Sequence, residues 1–392
     1  MTTNEMTTKI NGATLTYEVE TDEATGKKCA VITGAKNANG DFEIPSDVDG
    51  CPVVHIGNQA FAGCCKLTSV TIPAGVTSIG DEAFLGCSKL KSVTMPSGVA
   101  NIGKKAFSDC RGLKDIAIPD SVISIGDEAF QYCSGLARVT IPEGVTSIGD
   151  YAFLSCKSLT SITIPNSVVK IGKSAFLDCR DILFDAKTIR GVKLVDGWAI
   201  GYNDKGKNSL SGDLNLTGIR GIANGAFESC SGLTGVTIFD VKVVAEDAFS
   251  ACDSLTHVTI LDGVTSIGKS AFSWCSNLVE VSLGKAVASI GDCAFSRCSG
   301  LKDITIPDGV TSMADSPYAG AFKGCNGLAS VSLPRHLEGK LWKFAFKECS
   351  PGLKITYRDV ATATMVPKAK GGKKAPAPSK KSTAKKAPAK KK

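Results

Sequence analysis

Cysteine is the residue type with the most evident chemical potential in this chain, because the sequence contains 16 of them. Twelve follow an Ala-Phe dipeptide, three positions after the phenylalanine, and most of these units recur every 23 residues. Thiols could form disulfides, bind zinc or act as nucleophiles. A cysteine in one fixed slot beside Phe and Leu is instead expected to be buried, packing as a small hydrophobe. These residues, the cysteine ladder, are Cys64, Cys87, Cys110, Cys133, Cys156, Cys179, Cys230, Cys252, Cys275, Cys298, Cys325 and Cys349.

The remaining cysteines are the ones expected to be reactive. They are Cys29, Cys51, Cys65 and Cys293. No Cys-x-x-Cys pair occurs, and the three histidines, His55, His257 and His336, lie far apart in sequence. Because zinc needs clustered ligands, we predict no metal site and no cofactor.

Catalytic motifs are also missing from the sequence. It contains no Gly-x-Ser-x-Gly, no Walker loop and no His-Glu-x-x-His. Repeated acidic residues after a glycine, such as Asp81, Asp127 and Asp150, are explained as caps of a helical turn. We therefore predict that the protein is not an enzyme, with no catalytic residues.

The elements that position these side chains can be derived from one repeat, LTSVTIPAGVTSIGDEAFLGCSK, which spans residues 67–89. Apolar and polar residues alternate from Leu67 to Ile72, which predicts a half-buried strand, and Pro73 ends it. Val76 and Ile79 predict a second short extended segment. The following Gly-Asp-x-Ala-Phe is expected to form a helical turn that carries the phenylalanine inward.

A fixed period of 20 to 50 residues predicts a solenoid, in which one repeat buries its apolar face only against its neighbours. The repeat resembles the BspA-type leucine-rich-repeat family, with the pattern LxxIxIPxxVxxIGxxAFxxC, from Val53 to about Tyr357. This resemblance implies a leucine-rich-repeat horseshoe or superhelix, rich in β-strands, with short helical turns and a parallel sheet along one face. Many relatives are described as surface or secreted proteins that bind other proteins.

Three segments are predicted along the chain. Residues 1–50 form an N-terminal β cap, with strands near residues 14–19 and 29–33. Residues 51–357 form the solenoid, with an altered, enlarged repeat near 180–222. Residues 358–392 form a disordered tail rich in Lys, Ala and Pro.

The altered repeat places Asp196-Gly197 between two apolar runs, which predicts a two-residue hairpin turn. Trp198 and Tyr202 lie in this hairpin. Two interpretations stay open for them: packing onto neighbouring coils, or an aromatic contact patch of the kind enriched at interfaces.

Two outward-facing rows are expected on the sheet of first strands. The threonine row is nearly constant, as suits a good β-former: Thr71, Thr94, Ala117, Thr140, Thr163, Thr237, Thr259, Ser282, Thr305 and Ser332. The variable row changes its chemistry from coil to coil, and is a candidate protein-binding face about 55 Å long. The alternative is that its residues are simply solvated positions. The variable row consists of Ser69, Ser92, Asp115, Arg138, Ser161, Gly235, His257, Glu280, Asp303 and Ser330.

The tail holds the excess positive charge of the chain. It has eleven lysines and no acidic residue after residue 367, so the remainder has 34 basic and 38 acidic side chains. Its composition resembles that of linker-histone tails, and it could bind nucleic acid, another polyanion, or nothing specific. The lysines are Lys368, Lys370, Lys373, Lys374, Lys380, Lys381, Lys385, Lys386, Lys390, Lys391 and Lys392.

The leading hypothesis is a scaffold that binds a protein through the solenoid face and an anionic partner through the tail. The alternatives are a nucleic-acid-associated protein that acts through its tail, and a cell-surface adhesin exported without a recognisable signal. No apolar run reaches the roughly 20 residues of a membrane helix, and the N-terminus lacks the apolar core of a signal peptide. These features predict a cytoplasmic protein, whereas the family resemblance implies a secreted or surface one.

Overall fold

The chain winds into a β-solenoid in which each repeat forms one coil. The computed structural model describes residues 5–23, 25–180, 182, 189–202, 210–339 and 344–359. Each regular coil has two short strands and a turn segment, and equivalent strands of successive coils pair in parallel. The fold predicted from the repeat, a leucine-rich-repeat solenoid with parallel sheets, is confirmed.

The first strand of each coil, here called an A strand, ends at the proline or an equivalent position. The A strands pair in four groups along the solenoid. Their bounds are Gly40–Glu43, Leu67–Thr71 and Ser92–Thr94; Asp115–Ala117, Arg138–Thr140 and Ser161–Thr163; Gly212–Leu216, Leu233–Ile238, His257–Ile260 and Glu280–Leu283; and Asp303–Thr305, Ser330–Pro334 and Lys354–Arg358. Pairing of Gly40–Glu43 with Leu67–Thr71 begins before residue 51, where the sequence places the start of the solenoid.

The second strand of each coil, here called a B strand, forms a second surface. The B strands are Cys51–Ile56, Ser78–Ile79, Asn101–Ile102, Ser124–Ile125, Ser147–Ile148, Lys170–Ile171, Trp198–Tyr202, Gly221–Ile222, Val243–Val244, Ser266–Ile267, Ser289–Ile290 and Ser312–Met313. The other strands are Met6–Ile10, Ala13–Thr21, Lys28–Lys36, Asp47–Val48 and Val192–Val195. Among the described residues, one 3-10 helix occurs, Arg335–Leu337, and no helix is long and apolar enough to cross a membrane.

The turn segments differ from the predicted helical turns. Glu82 and Gly86 have positive φ angles of 57° and 71°, which an α-helix does not allow. Alternate amides donate to the next coil instead: the Glu82 N–H to the Lys104 carbonyl at 2.7 Å, and the Phe84 N–H to the Ala106 carbonyl at 2.8 Å. The turn segments therefore form a third line of hydrogen bonds between coils.

The acidic residues that were predicted to cap a helical turn also form hydrogen bonds between coils instead. Asp81 Oδ1 accepts a hydrogen bond from the backbone N–H of Lys104 at 2.8 Å, and Asp127 Oδ1 accepts one from the N–H of Asp150 at 2.8 Å. Asp150 in turn accepts from the N–H of Lys173 at 2.7 Å. Each carboxylate thus joins one coil to the next and does not cap a helix.

Phenylalanine and cysteine fill the interior beneath the turn segments. The phenylalanine rings stack from Phe61 to Phe176 and from Phe227 to Phe346, with neighbouring centroids 5.0–5.6 Å apart. Most ladder cysteines are buried, and the thiol of Cys133, for example, donates to the Phe107 carbonyl at 3.1 Å. This agrees with the prediction that the ladder is part of the core.

The cysteines outside the ladder differ from one another. Cys65 is exposed, whereas Cys29 is buried and burial raises the pKa of its thiol. Burial also raises the pKa of Cys293. Because the thiolate is the reactive form, the expectation of reactivity is not met for Cys29 and is weakened for Cys293.

The altered repeat contains the hairpin expected at Asp196-Gly197. Val192–Val195 pairs antiparallel with Trp198–Tyr202, and the second of these strands continues in parallel to Gly221–Ile222. Arg220 ties the hairpin to the solenoid, since its guanidinium donates to Asp196 Oδ2 at 2.8 Å and to the Pro165 carbonyl at 2.9 Å. The hairpin is an insertion that the stacked coils accommodate at their B surface.

Candidate protein-binding face

The variable row lies on the A strands, with its members side by side. Ser69 is in register with Ser92, and Arg138 lies between Asp115 and Ser161. Further along, the register joins Gly235, His257 and Glu280, and then Asp303 and Ser330. Since side chains alternate across a strand, these positions face away from the core residues between them.

The charged members of this row are available to a partner. Asp115, Arg138, Glu280 and Asp303 are exposed, and within the described part of the chain none of their side chains forms an ion pair or hydrogen bond. A surface charge without an internal partner keeps its full capacity to pair with a charge on another molecule. The row therefore presents an ordered set of unengaged charges.

Three further residues extend the variable row beyond the sequence prediction. Asp41 is in register with Ser69, Asp213 with Gly235, and Lys354 with Ser330. A sequence signal for Asp41 exists, because Asp-Phe-Glu-Ile-Pro repeats the pattern Ser-Val-Thr-Ile-Pro that begins at Ser69. Hydrogen bonds from Ser69 and Thr68 lower the pKa of the Asp41 carboxyl.

A glycine in the row creates one preformed polar cluster. A Cβ atom at Gly235 would lie 2.0 Å from Nε2 of His257, so the imidazole occupies the space that a side chain would fill. His257 thereby reaches Asp213, with Nε2 and Oδ1 3.6 Å apart. Thr234 Oγ1 donates to the same Asp213 oxygen at 2.8 Å. The glycine thus lets residues from alternate coils meet on the face.

The threonine row runs beside the variable row on the same side of the A strands. Thr71 and Thr94 are exposed and in register on neighbouring strands, as are Thr140 and Thr163, and Ala117 holds the equivalent position between the two pairs. Apart from Ala117, the row consists of threonine and serine, whose hydroxyls line one side of the face. Differences between coils are therefore concentrated in the variable row.

The two aromatic residues of the hairpin lie apart from this face. Trp198 is buried, with 4% of its surface exposed, and its ring lies over Gly221. Tyr202 is half-buried, stacks against Phe227 with centroids 6.4 Å apart, and donates its hydroxyl to the Glu228 carbonyl. These positions favour the packing interpretation, and a contact-patch role stays a prediction.

The tail lysines, Lys368 to Lys392, lie outside the described residues. Within the described residues, no group of three or more His, Cys, Asp or Glu side chains is arranged to hold a metal ion.

Comparison with known proteins places this repeat in a family. The sequence pattern described as the BspA type leucine rich repeat region matches residues 54–183 and 220–351, in 6 copies. The chain belongs to the BspA-type leucine-rich-repeat family. The matched residues contain most of the A strands and the variable row, so this BspA-type solenoid carries the face within its family repeats.

Several solved structures are similar to this BspA-type protein. A leucine rich cell surface protein from Faecalibacterium prausnitzii is 27% identical, with 93% of this chain and 97% of that chain covered and a TM-score of 0.39. The leucine rich repeat protein of T. pallidum is 28% identical, covering 55% and 87%, with a TM-score of 0.42. One from Bacteroides ovatus is 27% identical, covering 87% and 98%, with a TM-score of 0.35. No curated protein matches the chain.

Proposed function

We propose that this leucine-rich-repeat scaffold is a non-enzymatic binding protein that recognises a protein partner through the variable row. One observation carries the proposal: a single surface position, repeated in register along the A strands, holds unengaged charges that differ from coil to coil. Solenoids commonly bind through such extended surfaces. The contacts add along the face, so selectivity comes from the order of charges.

The C-terminal half of the row indicates the charge of the partner. Asp213, Glu280 and Asp303 place three carboxylates there, and Lys354 follows at the end of the face. Complementary charges steer association and discriminate against other partners. We therefore expect a basic segment of the partner to lie across this half.

The test compares two double variants of the full chain. Glu280→Lys with Asp303→Lys reverses two charges in the variable row, whereas Asp120→Lys with Glu143→Lys makes the same change on exposed loops outside it. We expect capture of a specific protein from lysate of the source cells to be lost only with the first variant, at moderate salt. Equal capture by both variants would show that the variable row does not bind the partner.

A second function is proposed for the tail because of its composition. Eleven lysines without an acidic neighbour can displace counterions from phosphates, which gives binding that is independent of sequence and weakened by salt. A chain that ends at Val366 is expected to lose retardation of DNA at low salt, and the full chain to lose it at a few hundred millimolar salt. Retardation that survives truncation would place nucleic-acid binding elsewhere.

A further inference from the structure

A groove crosses the B surface where the altered repeat joins the regular coils. It has a cavity volume of about 500 Å³, within the usual range for small-molecule sites. We define this Trp198 groove by Val169, Lys170, Trp198, Gly221, Lys242 and Val243, which contribute to its lining. It lies on the B strands, whereas the variable row lies on the A strands, so it is separate from the proposed protein-binding face.

The groove interrupts a row of small polar residues on the B strands. At the equivalent position of half of the B strands lies a serine, as in Ser124 and Ser147 before the groove and Ser266 after it. In the four strands between, this position is held by Lys170, Trp198, Gly221 and Val243. Serine is thus absent from four successive coils, and among the replacing residues Val243 leaves apolar surface exposed while Trp198 is buried beneath.

Gly221 is required for the ring of Trp198 to lie flat against the B strand Gly221–Ile222. A Cβ atom at residue 221 would be 2.4 Å from Cζ3 of Trp198, closer than packed atoms approach. Around the ring, Val169 is 73% exposed and Val243 is 42% exposed. These side chains leave apolar surface facing the open groove, where a bound ligand would cover it.

The polar groups of the groove favour a negatively charged ligand. Lys170 and Lys242 are exposed, and within the described ranges neither side chain has an ion-pair partner. The other cations are engaged: Arg220 with Asp196, and Lys269 with Glu246 at 2.9 Å. The indole Nε1 of Trp198 is buried without a hydrogen-bond acceptor among the described residues.

We propose that the Trp198 groove binds a small organic anion with an apolar body and a single carboxylate. The body covers the exposed side chains of Val169 and Val243 above the buried Trp198, and the carboxylate pairs with Lys170 or Lys242. Apolar burial supplies the attraction, and the two ammonium groups select the charge. A neutral molecule of the same shape keeps the attraction from apolar burial and loses the electrostatic attraction to the two ammonium groups.

The experiment uses two probes of matched shape with the full chain. The probes are 4-phenylbutyrate and the neutral 4-phenylbutanamide, titrated by calorimetry and by saturation-transfer NMR at low salt. We expect saturable binding of the anion and at least about threefold weaker binding of the amide, as one exposed ion pair supplies. The double variant Lys170→Gln with Lys242→Gln is expected to abolish this difference.

A matched pair of variants tests the location. Val169→Asp puts a carboxylate into the groove, whereas Ile123→Asp makes the same change at the equivalent exposed position two coils earlier, outside it. We expect the first to weaken 4-phenylbutyrate binding about tenfold, because it adds like-charge repulsion and removes apolar contact, and the second to leave it unchanged.

Both changed side chains are exposed, so thermal unfolding is expected to be similar in the two variants. Equal binding of both probes, or equal loss in Val169→Asp and Ile123→Asp, would overturn the proposal. Absence of binding by 4-phenylbutyrate at millimolar concentration would overturn it as well. None of these outcomes bears on the variable row, which the probes do not contact.

Discussion

Most buried ladder cysteines donate their thiol to a phenylalanine carbonyl of the preceding coil. Cys179 Sγ lies 3.1 Å from the Phe153 carbonyl oxygen, and Cys275 Sγ lies 3.1 Å from that of Phe249. Cysteine is small enough to repeat in one slot and still supplies a donor there. The Phe153 carbonyl also accepts the backbone N–H of Cys156 at 3.2 Å, so the thiol of the next coil adds a second hydrogen bond to the same oxygen.

The buried thiols make the free energy of unfolding depend on pH in the alkaline range. Burial raises the pKa of Cys179 to about 12, whereas an unfolded thiol ionises near about 8.5. The folded state thus holds a proton that the unfolded state releases, so the stabilisation is complete below about pH 8.5 and falls as pH rises towards 12. The loss from one such thiol approaches about 1.4 kcal/mol per pH unit.

Urea unfolding in the presence of a reductant, between pH 8 and 11, measures this dependence. The variant Cys179→Ala is expected to be less stable near pH 8 because it leaves a cavity, and its free energy of unfolding is expected to fall less steeply as the pH rises. If the free energies of unfolding of the two proteins fell equally with pH, the folded state would not keep its extra proton on Cys179.

At the scale of elements, the turn segments are held by contacts between coils. Asp127 provides one of these contacts through its 2.8 Å hydrogen bond from the Asp150 N–H. Asp292 occupies the equivalent position in a later coil, after Gly291, and within the described part of the chain its carboxylate has no hydrogen bond. The two exposed residues therefore form a matched pair.

Asp127→Ala is expected to destabilise the protein by about 1 kcal/mol, the usual net contribution of a hydrogen bond. Asp292→Ala should change stability by less than about 0.5 kcal/mol, as for other surface substitutions. The shift of the urea midpoint measures both. Equal shifts would show that the carboxylate at this position acts through local charge and not through the bond between coils.

The strands were predictable because their signals are local. Alternation from Leu67 to Ile72 and the stop at Pro73 require only neighbours in sequence, and the A strand Leu67–Thr71 is found there. The turn was misassigned because Ala83, Phe84 and Cys87 have a spacing that also fits one helical turn. Its left-handed residues depend on hydrogen bonds to the next coil, which no single repeat encodes.

The same distinction applies to the candidate site. Alignment of repeats predicted the members of the variable row, since a fixed period puts equivalent residues side by side. It did not predict Asp213, which begins the coil after the altered repeat and lacks the usual Ile-Pro ending. Nor could it show that His257 lies over Gly235, because that contact depends on the conformation of a side chain across neighbouring strands.

At the scale of the whole molecule, a stack of coils has two ends, each of which leaves a core open unless something covers it. At the N-terminal end, Lys28–Lys36 pairs in parallel with the B strand Cys51–Ile56, and Ala13–Thr21 pairs antiparallel with Lys28–Lys36. Leu15 and Tyr17 of this sheet are fully buried. These strands add apolar surface against the first coils and place polar strands outermost.

Deletion of residues 1–36 is therefore expected to expose the apolar interior of the first coil, including Phe42 and Ile56, which are buried in the full chain. An exposed apolar end with unpaired strand edges favours association. We expect the shortened protein to form oligomers or aggregates in light scattering and to bind a fluorescent apolar dye, whereas a chain ending at Val366 stays unchanged in both measurements. A shortened protein that remains monomeric, with the melting temperature of the full chain, would show that the stacked coils close their own end and that the N-terminal strands serve another purpose.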